Sequence, residues 1–193
     1  MIKFFLIFLF SFNLNAKEVP KLLGPVMDQA GLIRNEIKLA LTKRLKEFKA
    51  ETGNQVQILT IKSLEGESIE GYSIKVVDKW KLGSEKADNG ILFLISSKDR
   101  RMRIEVGQGL EGVLPDALVG RITDTVRIDF KKGHYEQGIV HGTSLILSAI
   151  KGNLEGIVPR KKHLDFAFYV PLVFVILWLW LTFFRPVWLI PIL

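Results

Sequence analysis

Residues 87–112 read ADNGILFLISSKDRRMRIEVGQGLEG, from Ala87 to Gly112. The stretch holds a continuous apolar run from Ile91 to Ile95, a polar turn from Ser96 to Arg100, and an alternating run from Arg101 to Val106. A continuous apolar run of that length suits a central strand covered on both faces. The alternation sets Met102, Ile104 and Val106 against Arg101, Arg103 and Glu105. It predicts a second strand with one buried face and one charged, solvated face. The connection is too short for a parallel crossover, so the two strands form an antiparallel hairpin. Asp-Asn-Gly precedes the first strand and a glycine-spaced Glu-Gly follows the second. Acids and glycines therefore bracket the open end of the hairpin.

The flanking segments supply helices. Ile33, Ile37, Ala40, Leu41, Leu45 and Phe48 recur at three- and four-residue steps and predict a helix over 33–51. Thr52-Gly53 fits its C-terminal stop, with Gly53 free to turn left-handed. Gln55 to Ile61 is rich in residues suited to a pleated sheet. Ser68 is placed to cap a helix running to about Leu82, with Tyr72, Val76, Val77 and Trp80 on its buried side and Gly83 ending it. Leu118–Phe130 and Tyr135–Ile150 complete the set as helices separated by Gly133. Residues 17–32 contain Pro20, Gly24, Pro25 and Gly31, which argue against a long helix. Their apolar side chains still suit packing against the domain. The order is helix, strand, helix, strand, strand, helix, helix. It predicts an α/β fold: a three-layer α/β/α sandwich around a small mixed sheet.

The two ends of the chain differ from its middle. Residues 1–16, MIKFFLIFLFSFNLNA, carry a lysine, an apolar core and a small final residue, the pattern of a signal peptide. Residues 166–184 are uncharged and apolar, and their length approaches that of a membrane-spanning helix. The expected organisation is a signal peptide at 1–16, an exported domain at 17–158, a basic juxtamembrane linker at 159–165, a single transmembrane helix at 166–184 and a short or truncated end at 185–193. The domain would then sit on the periplasmic or extracellular side, with membrane lipid around the C-terminal helix and a membrane protein as a candidate partner. The 193-residue chain carries +7, but residues 17–159 hold 22 Lys/Arg against 19 Asp/Glu, a balance of +3. With no basic stripe interleaved with aromatics, nucleic-acid binding has no support. The chain has no cysteine, which excludes disulfides and cysteine-ligated metal centres.

Chemistry is expected at the open end of the hairpin. Asp88 and Asn89 precede the central strand, Glu111 lies in the following turn, and Asp116 lies just before a helix. If these segments meet at one edge of the sheet, their oxygens suit Ca2+ or Mg2+. Gly107, Gly109 and Gly112 would permit tight backbone turns there. A bound cation would also polarise a phosphoryl oxygen, with Arg100, Arg101 or Arg103 orienting the phosphate. The same residues suit a plainer role. Asp-Asn and Asn-Gly are ordinary turn residues, and Asp116 would serve as a helix cap. Spacing alone leaves both readings open. No nucleophile elbow, phosphate loop or zinc motif is present.

Several segments together resemble the TPM domain family, which includes bacterial YgcG-like membrane-anchored proteins. They are Thr52 to Gln55, SIEGYSIKVVDKWKLG at 68–83, DNG at 88–90, DRRMRIEVGQGLEGVLPD at 99–116 and FKKGHYEQGI at 130–139. The likeness covers roughly residues 21–152. It implies a compact α/β/α domain outside the cytoplasm, followed by a transmembrane helix. It also implies binding of calcium or a similar ion, with Asp88, Asn89 and Asp116 matching the pattern and Glu111 near it. Plant members have been assigned acid phosphatase activity. Here Pro115 stands where a Thr or Ser often precedes the matching Asp, which removes a hydroxyl from that place. The implied function is a membrane-anchored accessory or scaffold domain in envelope or membrane-protein maintenance, with a metal-assisted acid phosphatase as the alternative.

Overall fold

A computed structural model describes residues 17–157 and 166–183. The signal-peptide, linker and C-terminal expectations at 1–16, 159–165 and 185–193 fall on residues outside that description. Two units divide at the 159/160 boundary.

In the first unit, four strands form one sheet in the order β1-β2-β3-β4. They are β1 (Val26–Asp28), β2 (Gln55–Ile61), β3 (Gly90–Ser96) and β4 (Arg101–Val106). The first three are parallel, and β4 runs antiparallel to β3, with Ile91 opposite Val106 and Ser96 opposite Arg101. Four helices belong to this unit: α1 (Asn35–Thr52), α2 (Ile69–Trp80), α3 (Asp116–Lys131) and α4 (Tyr135–Ile150).

Strand alternation sorts the core into two layers. Val56, Ile58, Ile91, Phe93, Ile95 and Ile104 point toward α1, α3 and α4. Leu59, Ile61, Leu92 and Leu94 point toward α2. Every residue of β3 is buried, as its continuous apolar run requires. The α/β sandwich expected from the sequence is thus present, with a mixed sheet.

Local chemistry sets the boundaries. Ser68 caps α2, its hydroxyl accepting the Gly71 N–H at 3.1 Å. Gly53 ends α1 at φ 75°. Lys81 is the cap that ends α2, left-handed at φ 48°, and Gly83 two residues on is left-handed as well, at φ 87°. Helix α1 begins at Asn35, two residues after Ile33.

Two expectations change. The lead-in contains a strand, β1, whose end is fixed by Asp28. One carboxylate oxygen accepts Leu32 N–H and the other Ile33 N–H, each at 3.0 Å, and the Thr60 hydroxyl donates to the same group. Further upstream the segment is fastened to α2: Trp80 Nε1 donates to Pro20 O at 2.7 Å and Lys79 Nζ to Val19 O at 2.9 Å. The charged face of β4 is also not simply solvated. Arg103 and Glu105 are half-buried and pair with each other beside the buried Ser73 of α2.

The second unit contains α5 (Phe166–Phe183), 18 residues with Pro171 inside. Among the described residues no helix is long and apolar enough to cross a membrane. Eighteen residues rise about 27 Å, against a hydrocarbon core of about 30 Å. The helix lies where the sequence placed it, but the expected crossing gains no support from it.

Candidate functional site

The Asp88 loop and the segment after β4 do meet at one end of the sheet. The loop is a tight turn in which the N–H of Asp88 donates to Ser84 O at 2.8 Å. Asp88 adopts φ 41°, a left-handed conformation that Asp and Asn tolerate better than most residues. Its carboxylate Oδ2 accepts the Gln108 N–H at 2.8 Å, and its carbonyl accepts the Gly109 N–H at 3.1 Å. The approach is close enough to require glycine. A Cβ on Gly107 would stand 2.2 Å from Asp88 O, and one on Gly109 would stand 1.7 Å from Ala87 O. These glycines therefore admit the Asp88 loop itself.

Asn89 is a latch. Its Oδ1 accepts the Ser84 N–H at 3.0 Å, and its Nδ2 donates to Gly53 O at 2.9 Å and to Asn54 Oδ1 at 3.3 Å. Its carbonyl accepts the Gln55 N–H at 3.0 Å. One side chain thus joins the loop before β3 to the turn between α1 and β2. Its amide oxygen already has a donor.

Glu111 follows a single 3-10 turn at Gln108–Leu110 and is exposed. Asp116 is also exposed and opens α3 as its first residue. The cap position belongs to Pro115, which makes no side-chain cap bond, so Asp116 is not the cap. No hydrogen bond or ion pair among the described residues engages either carboxylate. Asp116 acts at longer range on Arg103, whose pKa is raised by Glu105 first and by Asp116 least.

A calcium ion takes 6–8 oxygen ligands. At this end Asn89 Oδ1 and Asp88 Oδ2 each accept one N–H group, while Asp88 Oδ1 and the Glu111 and Asp116 carboxylates accept none among the described residues. Among the described residues no group of three or more His, Asp or Glu is arranged to hold a metal ion.

The arginines expected to orient a phosphate there lie elsewhere. Arg100 and Arg101 sit at the turn between β3 and β4, beyond the far end of β3 from Asp88. Seven strand residues put about 20 Å between the two ends. Arg103 lies between them and is tied to Glu105 and Ser73. The same far end carries Arg127 and Lys131 of α3, which the sequence reading did not single out. Their four-residue spacing on one helix was the available signal.

Asp99, in that far turn, is held below the usual carboxylate range. The Ser96 hydroxyl is the main cause, followed by the Leu64 N–H at 2.6 Å. Its role is to fix the turn.

Comparison with known proteins agrees with this architecture. The model for the TPM domain matches residues 26–149. The solution structure of the N-terminal domain of a protein from P. gingivalis is 31% identical, with a TM-score of 0.62, covering 70% of this chain and 87% of that one. The NMR structure of the BA42 protein from the psychrophilic bacterium Bizionia argentinensis is similar in fold. It is 20% identical, with a TM-score of 0.53, covering 67% of this chain and 86% of that one. No curated protein matches the chain.

Proposed function

The chain belongs to the TPM domain family, and from that premise we propose that it is a tethered, extracytoplasmic accessory domain that binds rather than hydrolyses. The observation that carries the reading is the separation of charge. The acids bracket one end of β3 and the unpaired arginines occupy the other, about 20 Å away. A metal-assisted phosphatase needs a cation and phosphate-orienting groups around the same phosphorus atom. Asp88 and Arg101 do not share such a place. Export and tethering rest on the sequence: the apolar 1–16 segment and the uncharged 166–184 run. A membrane protein is the partner class that fits a domain held at a bilayer surface.

The test is phosphomonoester turnover by the full chain with Ca2+, Mg2+ or Mn2+, beside Asp88→Asn. The expected result is no turnover that depends on Asp88. Turnover lost in that variant would restore the phosphatase.

Divalent-ion binding is a second reading, favoured by one observation: exposed, unpaired Glu111 and Asp116 carboxylates flank the Asp88 junction in sequence. Asp88, Glu111 and Asp116 are its candidate ligands, and Asn89 is a structural neighbour. Calorimetric calcium titration of the full chain tests it. Binding lost in both Asp88→Asn and Asp116→Asn supports the reading, and no binding by the folded chain removes it.

A further inference from the structure

The far end of the sheet opens into a cleft of about 920 Å³. It lies at the carboxyl end of β3, the end of parallel strands where α/β sheets commonly receive ligands. Arg100, Arg101, Arg127 and Lys131 line it, with Glu70 as the single acid in the lining. Arg127 pairs with Asp124 at 2.8 Å. Arg100, Arg101 and Lys131 form no ion pair among the described residues. Asp99, the acid nearest Arg101 in the turn, is engaged by Ser96, Ser63 and the Leu64 N–H. Arg101 still acts on Asp99 at longer range, as the weakest cause of that carboxylate's lowered pKa, but the four cations outnumber the one acid in the lining and the cleft presents an excess of positive charge.

Its other wall is apolar and ordered. Phe130 and Tyr135 stand with ring centroids 5.2 Å apart and tilted by 40°. Phe130 lies directly over Gly138, where an added Cβ would come within 2.4 Å of the ring. Gly133 and Tyr135 bring the start of α4 to the cleft, and the cap residue there, His134, makes no side-chain cap bond. That helix terminus adds a partial positive field. Arg100 itself is held at φ 53°, an uncommon conformation for a long side chain.

The geometry points to a binding site for a dianionic phosphate ester with an apolar body. The head is held by Arg100, Arg101 and Lys131, and the body packs against Phe130 and Tyr135. Guanidinium forks suit the bidentate capture of phosphate oxygens. The volume is that of a small-molecule site. The candidate cation-holding acids at the Asp88 end are a strand length away, so the site is one for binding in the reading proposed above. The same chemistry is offered by a soluble phosphate ester and by the headgroup of phosphatidic acid.

Calorimetry on the full chain with phenyl phosphate and with inorganic phosphate tests the site. Phenyl phosphate is expected to bind more tightly than inorganic phosphate; equal affinities would overturn the apolar half of the assignment. The double variant Arg101→Gln/Lys131→Gln is expected to weaken phenyl phosphate by at least about tenfold, while Lys46→Gln on the exposed side of α1 leaves it unchanged. Thermal melts confirm that both variants are folded. Co-sedimentation with phosphatidic acid vesicles, against phosphatidylcholine vesicles, separates the sources. Competition between phenyl phosphate and phosphatidic acid supports the lipid headgroup, and phenyl phosphate binding alone supports a soluble ester. No binding of either probe by the folded chain, or equal binding by the double variant, would overturn the site.

Discussion

The two ends of β3 are built oppositely. At the Asp88 end the polar groups nearest the strand are occupied: Asp88 receives the Gln108 N–H, Asn89 bridges Ser84, Gly53 and Asn54, and two glycines admit the crossing of backbones. At the Arg101 end four cations line an open cleft, and three of them, Arg100, Arg101 and Lys131, form no close ion pair among the described residues. The first end spends its hydrogen bonds on holding the chain together. The second end leaves its charge available. Chemistry-bearing residues are therefore a poor guide to a site until their partners are counted.

The comparison is broken most severely at the glycines. Gly109→Ala drives a methyl group into the backbone carbonyl of Ala87, which cannot swing aside as a side chain can. A loss of about 3 kcal/mol is expected in urea unfolding, at the upper end of overpacking costs. A neutral result would mean that the two segments do not cross as described.

Asp88 separates conformation from charge. Asp88→Ala loses both the acceptor for Gln108 and a residue tolerant of φ 41°, and a cost of about 2 kcal/mol is expected. Asp88→Asn keeps an acceptor and the turn preference, so its cost stays under about 1 kcal/mol. If Asn proves as damaging as Ala in the same unfolding measurement, the negative charge matters and a cation becomes the better account.

Arg100→Gly sharpens the other side. Relief of the left-handed strain at φ 53° is expected to raise stability by about 0.5–1 kcal/mol. The same change should weaken phenyl phosphate binding. Gain of stability with unchanged binding would place Arg100 outside the binding set.

The smallest effect is in acid. Asp99 has a lowered pKa, through the Ser96 hydroxyl first and then the Leu64 N–H. Its contribution to stability is complete above the ordinary carboxylate pKa and is lost as pH falls through the lowered one. Asp99→Asn should flatten the acid limb of the stability profile. An unchanged profile would remove Asp99 from the control of the turn.

Sequence legibility followed the range of the interactions. The β3–β4 hairpin was readable because Ile91–Ile95 and the alternation after Arg101 are local signals joined by a short turn. Three-residue β1 was not readable, because its pairing with β2 runs over thirty residues and its length allows no periodicity. The meeting of the Asp88 loop with the segment after β4 is only a condition in the sequence, where Gly107 and Gly109 suggest tight turns beside an ion. What the glycines admit is the backbone of Ala87 and Asp88, a contact between segments about twenty residues apart that no local pattern encodes. The cleft was hidden for the same reason: Arg101 and Lys131 come from different elements, and charge on one strand says nothing about which helix faces it.

The most direct test of the contrast is one set of titrations with phenyl phosphate, run on the full chain, on Asp88→Asn and on Arg101→Gln/Lys131→Gln, each with its thermal melt. The account predicts that Asp88→Asn binds as the unaltered chain does, while the double variant loses at least about tenfold in affinity with its fold intact. Loss of binding in folded Asp88→Asn would contradict it, because the two ends would then serve one site.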